Sequence, residues 1–440
     1  MILKLTDEPG AIETVTAIRS REISPLEAVD AAIARIELLD GPINAVVVRD
    51  FDRARDTAKT LEGTSPGADQ PLFGVPMTIK ESFNVAGLPT TWGLPENKDF
   101  IAKEDAEVVR RLKRAGAIFV GKTNVPPMLA DWQSDNPIYG RTCNPHALDC
   151  SPGGSSGGAA AALASGMVPI EFGSDTANSI RGPVHFCGVW GHKPSWSLIS
   201  IDGYSTPGID SHDIAVNAVG PMARNAEDLA LLLGLTAEIQ LQRNQKSVSE
   251  WRVLYIGDHP SSPVDNAVRL PIDATVKALE ATGATVSNSS GKLPDLANLH
   301  GTFMALAQNE LQHGEEGPLG PVVSLAEWFA LRDVQAQTAR KWKQLFSEFD
   351  FVIAPIAPFV AQRHETKPAD DRVVEINGEP RPFIEALFWP GIANLPGLPA
   401  TAVPVGESGG KPVGMQVIGP AWCDLDCIHS AKIIYDLLKS

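Results

Sequence analysis

The residues whose types and spacing could do chemistry in this chain lie in two short segments. Residues 151–179 read SPGGSSGGAAAALASGMVPIEFGSDTANS, with four glycines placed around Ser155 and Ser156. Glycine admits positive φ and lets backbones approach closely, and the alanines that follow allow a helix to pack tightly on its neighbours. The segment is therefore backbone arranged around hydroxyls. Two further groups keep it company: Lys80 in GVPMTIKE (74–81) and Ser179 in GSDTANSIR (173–181). Along the chain the order is Lys80, Ser155, Ser179, with the glycine-bracketed hydroxyl in the middle.

Three readings compete for the glycine segment taken alone. A phosphate-cradling loop of the form G-x-x-x-x-G-K-[ST] needs a lysine after the second glycine, and none is present. Residues 154–158 match G-x-S-x-G in form, but a nucleophile elbow follows a strand and CNPHALDCSP does not read as one. A Gly/Ser loop with a purely structural role is the third. An isolated Lys80 would read as a solvated strand end and an isolated Ser179 as a helix start.

Taken together, these segments resemble the amidase signature family. The likeness continues through Asn124-Val125-Pro126, Tyr139-Gly140-Arg141-Thr142, Phe186-Cys187-Gly188 and Lys193-Pro194 to Gly397-Leu398-Pro399-Ala400 and Val413-Gly414-Met415-Gln416, and so covers most of the chain. The resemblance implies a large twisted mixed β-sheet covered by helices on both faces. It also implies an amide hydrolase that needs no metal or organic cofactor, with Ser179 as nucleophile, Ser155 as bridging serine on a cis peptide, and Lys80 as base. A serine hydroxyl is inert at neutral pH without a base, and a lysine near its ordinary pKa of about 10.4 cannot accept its proton. Lys80 is therefore expected to be buried among groups that favour the neutral amine.

The resemblance further assigns an oxyanion hole to the backbone N–H groups of Thr176, Ala177, Asn178 and Ser179, pocket positions to Leu129, Asp131 and Trp132, and an ion pair to Asp175 and Arg181. One departure stands out. Where the family usually carries two glycines before the nucleophile, this chain has Ala177-Asn178. Both side chains are expected to occupy space beside the reacting carbonyl and to alter acyl-group specificity, the alternative being that Asn178 supplies an amide donor or fixes the loop. The glutamine-hydrolysing subunit of a tRNA-dependent amidotransferase and a silent binding protein on the same scaffold are the alternative functions.

The elements that must position these groups can be traced in part. Ser24-Pro25-Leu26-Glu27 joins a serine cap, a first-turn proline and a glutamate at the third position, with Val29, Ile33 and Ile36 at helical spacing, so a helix is predicted over 24–39. An apolar run (43–48) and a polar helix to Leu61 follow, which makes residues 1–65 a mostly helical layer on an α/β body spanning 66–440. Strands at 75–79, 117–120, 253–256 and 351–356 alternate with helices at 108–114, up to 283 and 325–348, the rhythm of an α/β fold. Residues 236–250 read as a polar connection and 359–382 as a charged, proline-rich loop or lid.

Lys+Arg 37 against Asp+Glu 53 leaves a net charge of −16, which disfavours a surface that tracks nucleic-acid phosphates or anionic lipid. The expected partner is a small amide, and a homodimer is left open. Five cysteines (Cys143, Cys150, Cys187, Cys423, Cys427) are too few and too unevenly spaced for a disulfide framework, which points to a reducing cytoplasm. Cys143, His146 and Cys150 lack a second ligand pair at zinc spacing, and Cys423 and Cys427 read as packing residues. Lys4, Asp7 and Glu8 interrupt any apolar start, so no export signal is expected. The stretch 159–170 is too short and too broken to span a bilayer.

Overall fold

A computed structural model describes residues 7–65, 67–208, 215–244, 246–312, 314–317 and 320–439; Lys4 lies outside them. The expected capping box forms: Glu27 N–H donates to Ser24 Oγ (3.1 Å) and Ser24 N–H to the Glu27 carboxylate (2.7 Å). The helix it starts, Pro25–Ile43, runs past the predicted end and stops where Asn44 turns left-handed (φ 57°). Ser324 and Glu327 repeat the device at the start of Leu325–Leu345, which ends just short of the predicted boundary.

The apolar run after the first helix becomes the strand Val46–Arg49, which pairs antiparallel with Ile118–Thr123. Residues 46–49 therefore add a strand to a sheet beside the helices that flank them. Ile118–Thr123 in turn pairs parallel with Pro76–Lys80, giving a three-stranded sheet. Beside it stands an eight-stranded mixed sheet in the order Thr285–Ser287, Arg252–Tyr255, Phe351–Pro355, Lys411–Ile418, Ala400–Ser408, Trp190–Lys193, Ala218–Ala223, Ile170–Asp175. Its central hairpin turns at Gly409-Gly410, with φ of 58° and 74°. Glycine adopts that conformation without strain.

Helices cover both faces of the large sheet, as an α/β fold requires. Asn266–Ala281 and Asp424–Leu437 pack with Val413, Met415 and Val417, whereas Gly157–Ala164 and Arg181–Cys187 occupy the opposite side. The segment 359–382 is only partly a loop. It contains the hairpin Val373–Ile376 and Glu379–Pro382, turned by Asn377-Gly378 with φ of 52° and 84°. Asn-Gly suits such a turn because both central residues need positive φ.

Every residue of Gly157–Ala164 is buried, and the helix contacts Pro76–Lys80, Ile118–Thr123 and Ile170–Asp175 at once. Its small side chains permit this. A Cβ on Gly158 would overlap the backbone of Asn124 and meet the Ala45 carbonyl, whereas one on Gly41 in Pro25–Ile43 meets nothing within 4 Å. Gly158→Ala is expected to lower unfolding free energy by about 2 kcal/mol through overpacking, and Gly41→Ala to raise it by about 0.5–1 kcal/mol through helix propensity. Urea titrations of the two variants check the contrast.

Candidate active site

Lys80 closes the buried strand Pro76–Lys80 at the seam where the small sheet lies against Ile170–Asp175, the edge strand of the large one. Its Nζ is 2.6 Å from Ser155 Oγ and 2.8 Å from Ser174 Oγ, and the Tyr204 hydroxyl donates to Ser174 Oγ (2.7 Å). The Gly154–Ser155 peptide is cis. Burial drives the Lys80 pKa down to about 7, although Asp175 and Glu171 pull it the other way. Burial also raises Glu171 to about 7, against hydrogen bonds from Thr123 Oγ1 (2.7 Å) and the Phe172 N–H (2.6 Å). A buried amine with its pKa lowered to about 7 is neutral in substantial part near that pH and can accept a proton from a hydroxyl it touches.

Ser179 is buried at 7% exposure and opens on the same cavity as Ser155, and its carbonyl accepts from the Ser156 N–H (3.1 Å). The turn that carries it is organised by Asp175. Both carboxylate oxygens of Asp175 meet the Arg181 guanidinium (Nε 3.0 Å, Nη2 2.9 Å), and they also accept from the N–H groups of Asn178, Ile180 and Arg181 at 3.0–3.2 Å. Burial would raise this carboxyl, but Arg181 and the N–H groups outweigh it and hold it well below the usual carboxylate range. Arg181 is itself fully buried and reaches Gln416 Oε1 (2.7 Å) and Asn394 Oδ1. Asn394 returns Nδ2 to the Asp175 carbonyl (3.0 Å) and the Val216 carbonyl (2.9 Å).

The Ala177-Asn178 departure resolves differently for its two residues. Ala177 lines the cavity. Asn178 does not: at φ 85° its side chain turns into the interior, fully buried, and Nδ2 donates to the Ile356 carbonyl (3.1 Å). The expectation that it fills space beside the acyl group is therefore corrected, because the left-handed turn points its Cβ away from the cavity. Its backbone N–H, expected as an oxyanion donor, is directed at Asp175 Oδ1. Among the described residues the N–H groups of Thr176, Ala177 and Ser179 have no backbone or side-chain acceptor.

The cavity beside Ser179 holds about 290 Å³. Leu129, Asp131 and Trp132 all line it, with Met304, Leu311 and Phe383 from distant parts of the chain. Asp131 is not free: Arg372 holds both its carboxylate oxygens (2.6 and 2.7 Å). Among the described lining residues the charged ones are Asp131 and Asp370. Sequence reasoning misses Ser174, Tyr204, Glu171, Asn394 and Arg372. Of these only Ser174 carries a local signal, its place in GSDTANS, whereas Gln416 belongs to a motif that gave it no role.

The remaining candidates fall elsewhere. His146 Nε2 faces the Cys187 carbonyl (3.0 Å), and no three His, Cys, Asp or Glu side chains gather as a metal-binding group among the described residues. All five cysteines are free thiols; Cys427 is buried and Cys423 is half-buried just before the helix Asp424–Leu437. No helix among the described residues is long and apolar enough to cross a membrane.

The family model for amidases matches residues 27–315 and 321–428. An indoleacetamide hydrolase from Bradyrhizobium diazoefficiens is 32% identical, over 93% of this chain and 82% of its own length. A glutamyl-tRNA(Gln) amidotransferase chain from Macrococcus caseolyticus is 28% identical, over 91% of each protein. A bacterial aryl acylamidase of the amidase signature family superposes with a TM-score of 0.81 at 25% identity, covering 98% of both chains. With the match running through both the Lys80 strand and the Ser179 turn, the chain belongs to the amidase signature family and is an amide hydrolase acting on carbon–nitrogen bonds.

Proposed function

We propose that the protein cleaves an uncharged carboxylic amide through an acyl-enzyme on Ser179. The observation that carries this reading is the 2.6 Å contact between a buried, proton-accepting Lys80 and Ser155 on the cavity that also receives Ser179. Ser179 Oγ attacks the carbonyl carbon while its proton passes through Ser155 to Lys80. The oxyanion that forms faces the N–H groups of Thr176, Ala177 and Ser179, donors of a kind whose individual loss costs about 100- to 1,000-fold in kcat. Lys80 returns the proton through Ser155 to the nitrogen as the C–N bond breaks. Water then attacks the acyl group with the same two residues in the same roles, releasing the acid and restoring Ser179.

The cavity supports an apolar, uncharged acyl group. Its charged lining is acidic, and the Arg372 guanidinium that meets Asp131 is already taken up by both of its carboxylate oxygens. A glutamine α-carboxylate would meet no free cation among the described lining residues, which weighs against the amidotransferase reading. The indoleacetamide hydrolase relative suggests arylacetamides as the first substrates to assay. Five free thiols suit a reducing cytoplasm, and every group in the proposed mechanism comes from one chain.

Ser179→Ala is expected to abolish turnover and labelling by a fluorophosphonate probe with the thermal midpoint preserved; retention of more than about a tenth of wild-type kcat would move the nucleophile to another hydroxyl, Ser156 first. Lys80→Ala is expected to depress anilide hydrolysis far more than p-nitrophenyl ester hydrolysis, because only the amine leaving group needs a returned proton. Equal losses on both substrates count against the relay.

Protonated Lys80 cannot act as base, so kcat/KM is expected to fall as pH drops through about 7 and to level off above it. A profile on a neutral amide that stays flat from about pH 6 to about pH 9 would remove Lys80 from the rate-determining chemistry.

Asn178→Gly removes the anchor to Ile356 and is expected to lower kcat by about tenfold regardless of acyl size, the scale of one net hydrogen bond. Ala177→Gly is expected instead to favour bulkier acyl groups. A homologous series of anilides separates the two effects.

A further inference from the structure

The lid segment and the oxyanion turn are joined by a chain of side chains that the acyl-enzyme mechanism does not use. Arg372 grips Asp131 with both Nη atoms (2.6 and 2.7 Å), bonds the Lys367 carbonyl through Nε (2.7 Å) and lies over the Phe383 ring at 5.6 Å. Asp131 Oδ1 accepts the Trp132 backbone N–H (2.6 Å), and the Trp132 indole packs edge-on against Phe383 (centroids 5.3 Å). The indole N–H then donates to the Ala177 carbonyl (2.9 Å). A parallel tie runs next door, where Gln133 exchanges two hydrogen bonds with the Glu365 backbone, both 2.9 Å.

We propose that Trp132, held by the Arg372–Asp131 ion pair, is a positioning residue that locks the Ala177–Asn178 peptide so that its carbonyl points away from the developing oxyanion. That peptide is pinned at both ends, its oxygen by Trp132 and its N–H by Asp175 Oδ1. Were the carbonyl released, rotation of the plane would turn a lone pair toward the substrate oxygen and displace the neighbouring donors of Ala177 and Ser179. Asn178 sits at φ 85°, a region that asparagine tolerates better than most non-glycine residues but that still costs energy unless its surroundings hold it. The ion pair is mostly shielded, with Arg372 and Asp131 side chains 10% and 23% exposed. It is therefore a firmer strut than a surface pair. Pro368, Ala369 and Asp370 from the same lid line the cavity. The clamp thereby couples the wall that meets the substrate to the donors that meet its oxygen.

The inference rests on the acyl-enzyme reading, and the experiment separates the two. Trp132→Phe keeps an aromatic wall and removes the N–H. With phenylacetamide as substrate, kcat is expected to fall about 10- to 100-fold with KM within about twofold, the signature of a contact felt in the transition state. Inhibition by phenylboronic acid, which forms a tetrahedral adduct on the serine, is expected to weaken by a similar factor, while the thermal midpoint stays near that of the wild type. Arg372→Met is expected to reproduce part of both losses and Arg372→Lys, which keeps the charge without the two-pronged geometry, to restore some of them. Unchanged kcat and boronate inhibition in Trp132→Phe, or a rise in KM alone, overturns the proposal; so does an Arg372→Met enzyme identical to wild type in both measurements. Turnover surviving in Ser179→Ala would instead sink the acyl-enzyme reading itself.

Discussion

Keeping a lysine's charged form out of water lowers its pKa, and that burial shapes the centre of this molecule. Lys80 has no solvent exposure because it ends a strand at the seam between two sheets, roofed by the alanine-rich helix and faced by Ser155, Ser174 and Tyr204. Desolvation lowers its pKa, and the nearby acids Asp175 and Glu171 limit the fall. The balance leaves an amine able to accept a proton and return it. A lysine buried without those acids would lose its proton more readily still.

The second buried charge, Arg181 on Asp175, has a different task. Removing two ions from water is costly unless every donor and acceptor is satisfied. Here Asp175 takes three backbone N–H groups besides the guanidinium, and Arg181 spreads onto Gln416 and Asn394. The pair therefore draws residues from far along the sequence onto one turn. Its product is a backbone conformation, the tight left-handed bend that presents Ser179 and its neighbouring N–H groups.

Much of this was legible in residue types. Glycines bracketing Ser155, the Ser24–Glu27 cap and alternating strands and helices each carry their structural reason within a few residues, and the structure follows them to within a few positions at most boundaries. The hairpin at Asn377-Gly378 also carried a local signal, hidden among the charges and prolines of the lid segment. Of the two readings of Asn178, the loop-fixing one is favoured over space filling for a physical reason: its residue type told of added volume, but the sign of φ decided which way that volume points. Asp131 was read as a pocket residue from the family resemblance, and its engagement by the distant Arg372 has no sequence periodicity to reveal it.

The sequence by itself determined the chemistry available, a lysine and serines with glycines to let backbone approach them, and the local starts and stops of the elements that carry them. Tertiary structure alone decided which acids tune Lys80, which N–H groups of the Ser179 turn are left without an acceptor among the described residues, and which side chains wall the cavity. The reason is range: caps and turns are settled by hydrogen bonds between near neighbours in the chain, whereas desolvation and buried pairing depend on what the distant chain brings into contact.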